Sequence, residues 1–579
     1  MGPLAALAVA VLLLSAPAAE DAAAGSRAKA EAARSSGKRV DVVLRLDRRR
    51  SGLQKLARAV SDPASPRYGR YVDPKQTARR FGARKPTRKR VRSFLRRRGI
   101  RARVDVTRSF AEVLVPARKA GRLFGPSNAT KGRIPRGLRG RVRAVLQEPA
   151  SSDQFLPRRH GGADTPAGAS GASGAQLDPP YARTGTPAGC EQGRNATFPL
   201  ENAPLAGPAF TPNQIQTAYG VSGLHAQGVT GKGVRAAILG VAGFARDELR
   251  GFAECFGIEM PPTRLAKVGT RRAGKTPIEM ALDLQMLTLM APGLERLVVY
   301  SVGSLFWPAV FSAMLERRNA PGRRLPHVAS VSAGECESDI GRAEVKLTER
   351  VLAAAAAAGI TVAAGSGDAG SFCTSETRPE GFYPSSSRWA TSVGGTSLTL
   401  TDSNEIVDEI VWNDTPVGLT DAGGGGFSRL LSVPFYQRGL EGSGPRRDYP
   451  DVAAFADGYP SIAVYCFVNA QGNCESTGSG NPFGALGNGT SAATPLFAGA
   501  VALADQRRLE AQDPPLGFAN PLLYELGGRG GAGALRDVVE GSNDLGRGCC
   551  DAGPGYDLAS GWGSVDAEGL ASAAALRAR

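Results

Sequence analysis

Histidine is nearly missing from this chain: 579 residues carry three, His160, His225 and His327. A nucleophilic serine ordinarily uses an imidazole as its base, held by an aspartate. None of the three has the setting that role needs. His160 lies in a Gly/Ala/Ser/Pro-rich stretch, His225 ends a short helical pattern, and His327 precedes the apolar run Val328 to Val331 at a strand edge. The buried-strand pattern Val234 to Val241 also lacks an aspartate. These absences argue against an ordinary Ser-His-Asp triad. Beyond the N-terminus there is no run of about 20 apolar residues, so no membrane anchor is read. Leu4 to Leu14 is too short to span; with Ala16-Pro17-Ala18 it reads as a signal peptide over 1–18, without the usual basic side chain before it. No cysteine precedes residue 190, and the eight that follow, an even number in an exported chain, favour disulfides.

What the chain does have is Gly489-Thr490-Ser491-Ala492-Ala493-Thr494-Pro495, followed by a small apolar run. A serine where a Gly-Thr turn enters a helix sits at the helix's positive end, exposed and close to N–H groups. The same turn also serves as a plain helix cap. Carboxylates could supply the missing base. Pro277 to Leu287 reads as a helix, and Glu279 and Asp283 project from one of its faces beside Ile278, Leu282 and Met286. Such a pair either forms a solvated acidic face or shares a proton in a site. A third acid, Asp368, follows the buried-strand pattern Ile360 to Ala364, where open α/β sheets place ligands and where Asp-Gly-type turns also occur.

Together these segments closely resemble the sedolisin family of serine-carboxyl peptidases. The motifs, in order, are Glu279-xxx-Asp283, Ser332-Ala333-Gly334 with Glu337, Ser366-Gly367-Asp368-Ala369-Gly370 and Val393-Gly394-Gly395-Thr396. Gly424 to Ser428, Pro450-Asp451-Val452, Gly489-Thr490-Ser491 with Pro495, and Asn520 to Tyr524 complete the series. The resemblance implies Ser491 as nucleophile, Glu279 as general base, Asp283 as the acid that orients and shares its proton, and Asp368 in the oxyanion hole. It implies a subtilisin-like α/β fold, a parallel sheet covered by helices on both faces, preceded by a ferredoxin-like α+β prodomain. It also implies one structural Ca2+ held by Asp537, the Val538 carbonyl, the carbonyls of Gly553 and Gly555, and Asp557, and a disulfide from Cys373 to Cys549 or Cys550. A short Cys466–Cys474 loop is expected as well. Sequons at Asn128, Asn195 and Asn413 are candidate glycan sites, and one at Asn488 is expected bare beside Ser491.

Charge divides the chain. Through residue 200, 41 Lys/Arg face 14 Asp/Glu; beyond it, 30 face 39. Basic clusters such as Arg88-Lys89-Arg90 would suit nucleic acid. The resemblance instead makes this part a prodomain over 37–146, clamped electrostatically on an acidic enzyme, and no nucleic-acid partner is expected. Residues 147–207, rich in Gly, Ala, Ser and Pro, read as a flexible linker with the processing site, and 208–579 as the catalytic domain. The implied function is an acid-acting peptidase on peptides or unfolded proteins, made as a self-activating zymogen in the secretory pathway and inhibited by its own prodomain. A catalytically silent binding protein of the same family is the alternative.

Overall fold

The computed structural model describes residues 39–47, 51–125, 132–147, 178–197, 208–240, 243–268, 276–301, 306–316, 319, 322, 324–373, 378–468, 473–475, 482–483 and 485–576. The signal-peptide segment, His160 and the Asn128 sequon lie outside them. In the N-terminal part, strands β1 (Arg39–Leu46), β2 (Arg103–Val104), β3 (Phe110–Pro116) and β4 (Val142–Gln147) form an antiparallel sheet in the order β2-β3-β1-β4. Alternate side chains leave opposite faces of a strand. Val42 and Leu44 therefore join Ala111, Val113 and Phe94 in this part's own core. Val43 and Phe110, from the other face, join helix α1 (Leu53–Ser61) in a core shared with the C-terminal part of the chain.

The part from residue 208 on is built on a ten-stranded sheet. Its strands are β5 (Arg235–Gly240), β6 (Thr263–Lys267), β7 (Arg296–Ser301), β8 (Val328–Val331), β9 (Thr361–Gly365), β10 (Thr391–Leu400), β11 (Ile406–Val411), β12 (Val452–Phe455), β13 (Leu535–Arg536) and β14 (Ser564–Val565). The order is β13-β14-β12-β10-β9-β8-β5-β7-β6, with β11 antiparallel on β10 and all pairs from β14 to β6 parallel. Parallel strands need both faces covered. Ala236, Ile238, Val328 and Ala363 pack with helices α2 (Ile278–Met290) and α5 (Thr490–Glu510). Their neighbours Ala237, Leu239, Ala329 and Val362 pack with α3 (Trp307–Met314) and α4 (Arg342–Ala357) on the other face.

The prodomain sits over α4. Besides the shared core, Val72 N donates to Ala357 O (2.8 Å), Tyr71 Oη to Leu516 O (2.6 Å), and Arg350 Nε to Ser109 Oγ (2.9 Å). The ion pair Arg103–Glu316 (2.5 Å) also crosses the boundary. The clamp expected from net charge is thus mainly an apolar contact.

Composition misled in the linker. Residues 178–197 pack on the catalytic domain. Arg183 Nη1 donates to Ala209 O (2.9 Å), Thr186 N to Asn404 Oδ1 (2.6 Å), and Cys190 is bonded to Cys255. The remaining disulfides are Cys336–Cys373, Cys466–Cys474 and Cys549–Cys550. The short loop matches expectation. The pairing of Cys373 with Cys549 or Cys550 is corrected: the two loops do touch, through Ser371 Oγ and Cys549 O (2.8 Å), but Cys336 reaches Cys373 and the adjacent cysteines bond each other. The Asn413 sequon is also corrected as a glycan site, since Nδ2 is spent on the carbonyls of Ser542 (2.8 Å) and Asp544 (3.0 Å).

Two motifs that carried no role in the sequence prove to be structural. Asp451, fully buried, accepts from Ser392 N (2.8 Å), Arg447 Nη2 (2.5 Å), Asn520 Nδ2 (2.9 Å) and Tyr524 Oη (2.7 Å). It ties the Pro-Asp-Val and Asn-Pro-Leu-Leu-Tyr segments to β10. Replacing it by alanine leaves the Arg447 guanidinium buried and unpaired, at a cost of about 3–5 kcal/mol. A drop of several degrees in Tm is expected by calorimetry; an unchanged Tm would remove Asp451 from this structural role.

Candidate active site

Helices α2 and α5 cross closely. A Cβ at Gly499 would lie 2.3 Å from Met290 Cβ, so only glycine allows this approach. The crossing brings the first two turns of α2, with its two acids, to the first turn of α5, with Ser491. Ser491 Oγ donates to Ser332 O (3.3 Å), just beyond the end of β8. Ser332 Oγ in turn donates to Asp283 Oδ1 (2.5 Å) and lies 3.4 Å from the carbonyl oxygen of Ser491. That carbonyl is available because Pro495, four residues on, has no N–H to offer it.

Asp283 is buried, and burial pushes its carboxyl up to about 7 against the Ser332 hydrogen bond. Glu279 is raised too, first by burial and then by the Asp283 charge, while the Ser491 hydroxyl favours its ionised form. Its Oε1 is buried without a hydrogen-bond partner. Two carboxyls this close cannot both ionise cheaply, so the pair holds a proton between them.

On the other side of Ser491, Asp368 Oδ1 accepts from Thr490 N and Thr490 Oγ1, both at 2.8 Å. Thr490 Oγ1 itself accepts from Gly367 N (3.1 Å). Asp368 Oδ2 faces the turn: a Cβ at Gly489, whose φ is +80°, would lie 2.8 Å from it. Burial raises the Asp368 carboxyl above its ordinary value despite both Thr490 contacts. The four acidic and hydroxyl groups expected from sequence are thus brought together. Sequence reading gave no role to Ser332 or Thr490, which hold Asp283 and Asp368. It also missed a buried carboxyl pair on the β12 side, Asp414 and Asp457, both raised first by burial and Asp457 further by the Asp414 charge. An acid in Asp457-Gly458 directly after a buried strand was the available signal.

The two described histidines stand elsewhere. His225 Nε2 meets Met290 O (2.9 Å), and His327 lies against Arg235, its pKa driven down to about 3 by burial and that charge.

A profile of the pro-kumamolisin activation domain matches residues 24–129. Tripeptidyl-peptidase 1 of Pan troglodytes is 29% identical over 553 residues, covering 88% of this chain and 87% of that protein. Kumamolisin of Bacillus sp. (strain MN-32) is 29% identical over 391 residues, 63% of this chain and 64% of its own. The Pseudomonas sedolisin structure, a serine-carboxyl proteinase complexed with pseudo-iodotyrostatin, superposes with a TM-score of 0.53 at 25% identity, covering 63% of this chain and 97% of that one. The chain belongs to the sedolisin family. It is a serine-carboxyl peptidase with an activation prodomain, and the antiparallel N-terminal sheet is that prodomain.

In this sedolisin the five residues expected to hold calcium lie together. Asp557 Oδ1 accepts from Ala559 N (2.8 Å) and Ser560 N (2.7 Å), Oδ2 from Gly553 N (3.1 Å), and Asp537 Oδ2 accepts from Gly555 N (2.7 Å). Ser560 Oγ reaches Val538 O at 3.4 Å. The two carboxylates and the Val538 carbonyl stand around one Gly-rich loop, oxygen donors of the kind a hard cation takes. Among the described residues no helix is long and apolar enough to cross a membrane.

Proposed function

We propose that Ser491 is the nucleophile of a peptidase that works in acid. Its hydroxyl proton passes to Glu279 as Oγ bonds to the substrate carbonyl carbon, and Asp283, linked to Ser332, shares the proton now held by the pair. Protonated Asp368 donates from Oδ2 to the developing oxyanion. Collapse of the tetrahedral species expels the amine, which takes the proton from Glu279, and water then hydrolyses the acyl-serine. The observation that carries this reading is the buried, partnerless Oε1 of Glu279 beside Ser491, since a desolvated acid with an open lone pair is a poised base. An imidazole, near 6.5 when unperturbed, would already be protonated in acid.

We further propose that the chain removes its prodomain itself, between residues 148 and 177, because the segment from Asp178 is fastened to the catalytic domain. Export through the secretory pathway accords with four disulfides among the described residues. Incubating the purified full chain at pH 4 and sequencing its new N-terminus tests this: a terminus upstream of Asp178 is expected, and Ser491→Ala should remain uncut. Equal maturation by that variant would reject self-processing. Peptides supplied afterwards should be hydrolysed.

Calcium is proposed to bind through Asp537, Val538, Gly553, Gly555 and Asp557, fastening the C-terminal loop to the sheet edge. Bound ion adds stability in proportion to its occupancy, so chelation should lower Tm by about 5 °C. A thermal scan indifferent to both chelator and added Ca2+ would remove the ion from this site.

A further inference from the structure

A cavity of about 480 Å³ opens beside the catalytic loops, lined by Arg342, Arg378, Arg429 and Arg446 together with Glu337 and Glu380. Its volume lies in the range of small-ligand pockets. Its walls continue the segments that build the active site. The Ser332 segment runs on to Glu337. Gly424, which leads to Arg429, is bonded through its N–H to Gly367 O (2.7 Å), next to Asp368. Phe382, two residues past Glu380, packs on both of these segments: a Cβ at Gly334 would lie 2.2 Å from its ring, and one at Gly367 3.2 Å.

The charges in the cavity do not cancel. The Glu337 carboxylate is spent on neutral donors, Ser386 Oγ (2.7 Å), Ser428 Oγ (2.5 Å), Arg429 N (2.7 Å) and Leu430 N (3.1 Å). Among the described residues none of the four guanidiniums has an ion-pair partner. Two buried glutamates, Glu337 and Glu380, therefore stand among four guanidiniums, an excess of two positive charges. The ring of Phe427, 39% exposed, adds an apolar edge on which an aliphatic stem can lie. Guanidinium forks bind carboxylates bidentately, whereas a substrate lysine would meet four like charges before reaching Glu380.

We propose that this cavity is a substrate subsite that selects an aspartate or glutamate side chain near the scissile bond. The inference rests on the peptidase reading above and adds a substrate class to it. The full chain is first activated in acid. It is then offered peptide sets with Glu, Gln, Leu or Lys at each position around a fixed cleavable bond, at pH 5 and at pH 3. At one position the kcat/KM for Glu should exceed that for Gln roughly 10-fold at pH 5, the size of a charge-assisted hydrogen bond. The ratio should shrink at pH 3, where the substrate carboxyl, near 4.3 when free, is protonated. It should fall toward unity in Arg429→Gln with Arg446→Gln, and Arg429→Glu should shift preference toward Lys. Cleavage with Glu and Gln equal at every position, or with Lys preferred at the responding position in wild type, overturns the subsite. No cleavage of any peptide overturns the peptidase reading, and this inference with it.

Discussion

Replacing Ser491 by alanine is expected to lower kcat/KM on any peptide substrate by at least about 10⁴-fold, the scale at which removal of a nucleophile leaves only binding and oxyanion stabilisation. Folding should be nearly untouched. Apart from its contact with Glu279, the hydroxyl makes one long hydrogen bond, 3.3 Å to Ser332 O, so its loss costs about 1 kcal/mol. The pairing of lost turnover with retained Tm separates a chemical role from a helix cap. Glu279→Gln should fall by a comparable factor, since an amide cannot accept the proton. Asp283→Asn should cost less, because the Ser332 hydroxyl can still donate to the amide oxygen. Retention of activity in Glu279→Gln within tenfold of wild type would show that another group takes the proton.

The second large effect is pH dependence. The acid pair must carry one proton and one charge, and Asp368 must be protonated to donate. Rising pH removes the proton the pair shares and the proton of Asp368, both held up by burial, so kcat/KM should fall by roughly 10²–10³-fold between pH 4 and 7.5, the scale of losing one oxyanion donor. Asp368→Asn isolates one part of this. Its Oδ1 keeps the Thr490 contacts while Nδ2 replaces Oδ2 and donates at every pH, so the alkaline limb should move upward. Asp368→Ala should lose the full factor at pH 4. A wild-type profile flat from pH 4 to 7 would rule out a protonated aspartate in the oxyanion hole.

Stability follows the same sign. Asp283 and Asp505 both have folded values raised to about 7 by burial. A raised carboxyl stabilises fully below its unfolded value near 4, and that contribution is lost as pH climbs through 7. Tm should therefore be higher at pH 4 than at pH 7.5. Asp505→Asn should flatten that slope, since Asp505 Oδ2 is buried without a partner.

Sequence was informative where chemistry demands a residue type. Serine on a Gly-Thr turn, acids four apart and an aspartate after a buried strand could be read because each is short-range. Parallel strands were legible as unbroken apolar runs. What escaped reading depends on contacts between distant segments. Cys336 and Cys373 meet because β8 and β9 are neighbours in the sheet, which no spacing reveals. The stretch 178–197 has a linker's composition, yet buried side chains on another domain hold it in place. The prodomain's net charge suggested an electrostatic contact, while the alternation in β1 and β3, which buries both faces of its sheet, was the better guide. Within α5, Gly499 admits Met290 and Pro495 frees a carbonyl beside Ser332.

The most direct test of an acid-activated serine is to trap the acyl-enzyme. A slowly deacylating peptide ester is mixed with the activated protein at pH 4, and the adduct is located by peptide mass mapping. The acyl group should lie on Ser491 in wild type and be absent on the same timescale in Glu279→Gln. An adduct on another residue, or equal acylation without the Glu279 carboxylate, would contradict the assignment.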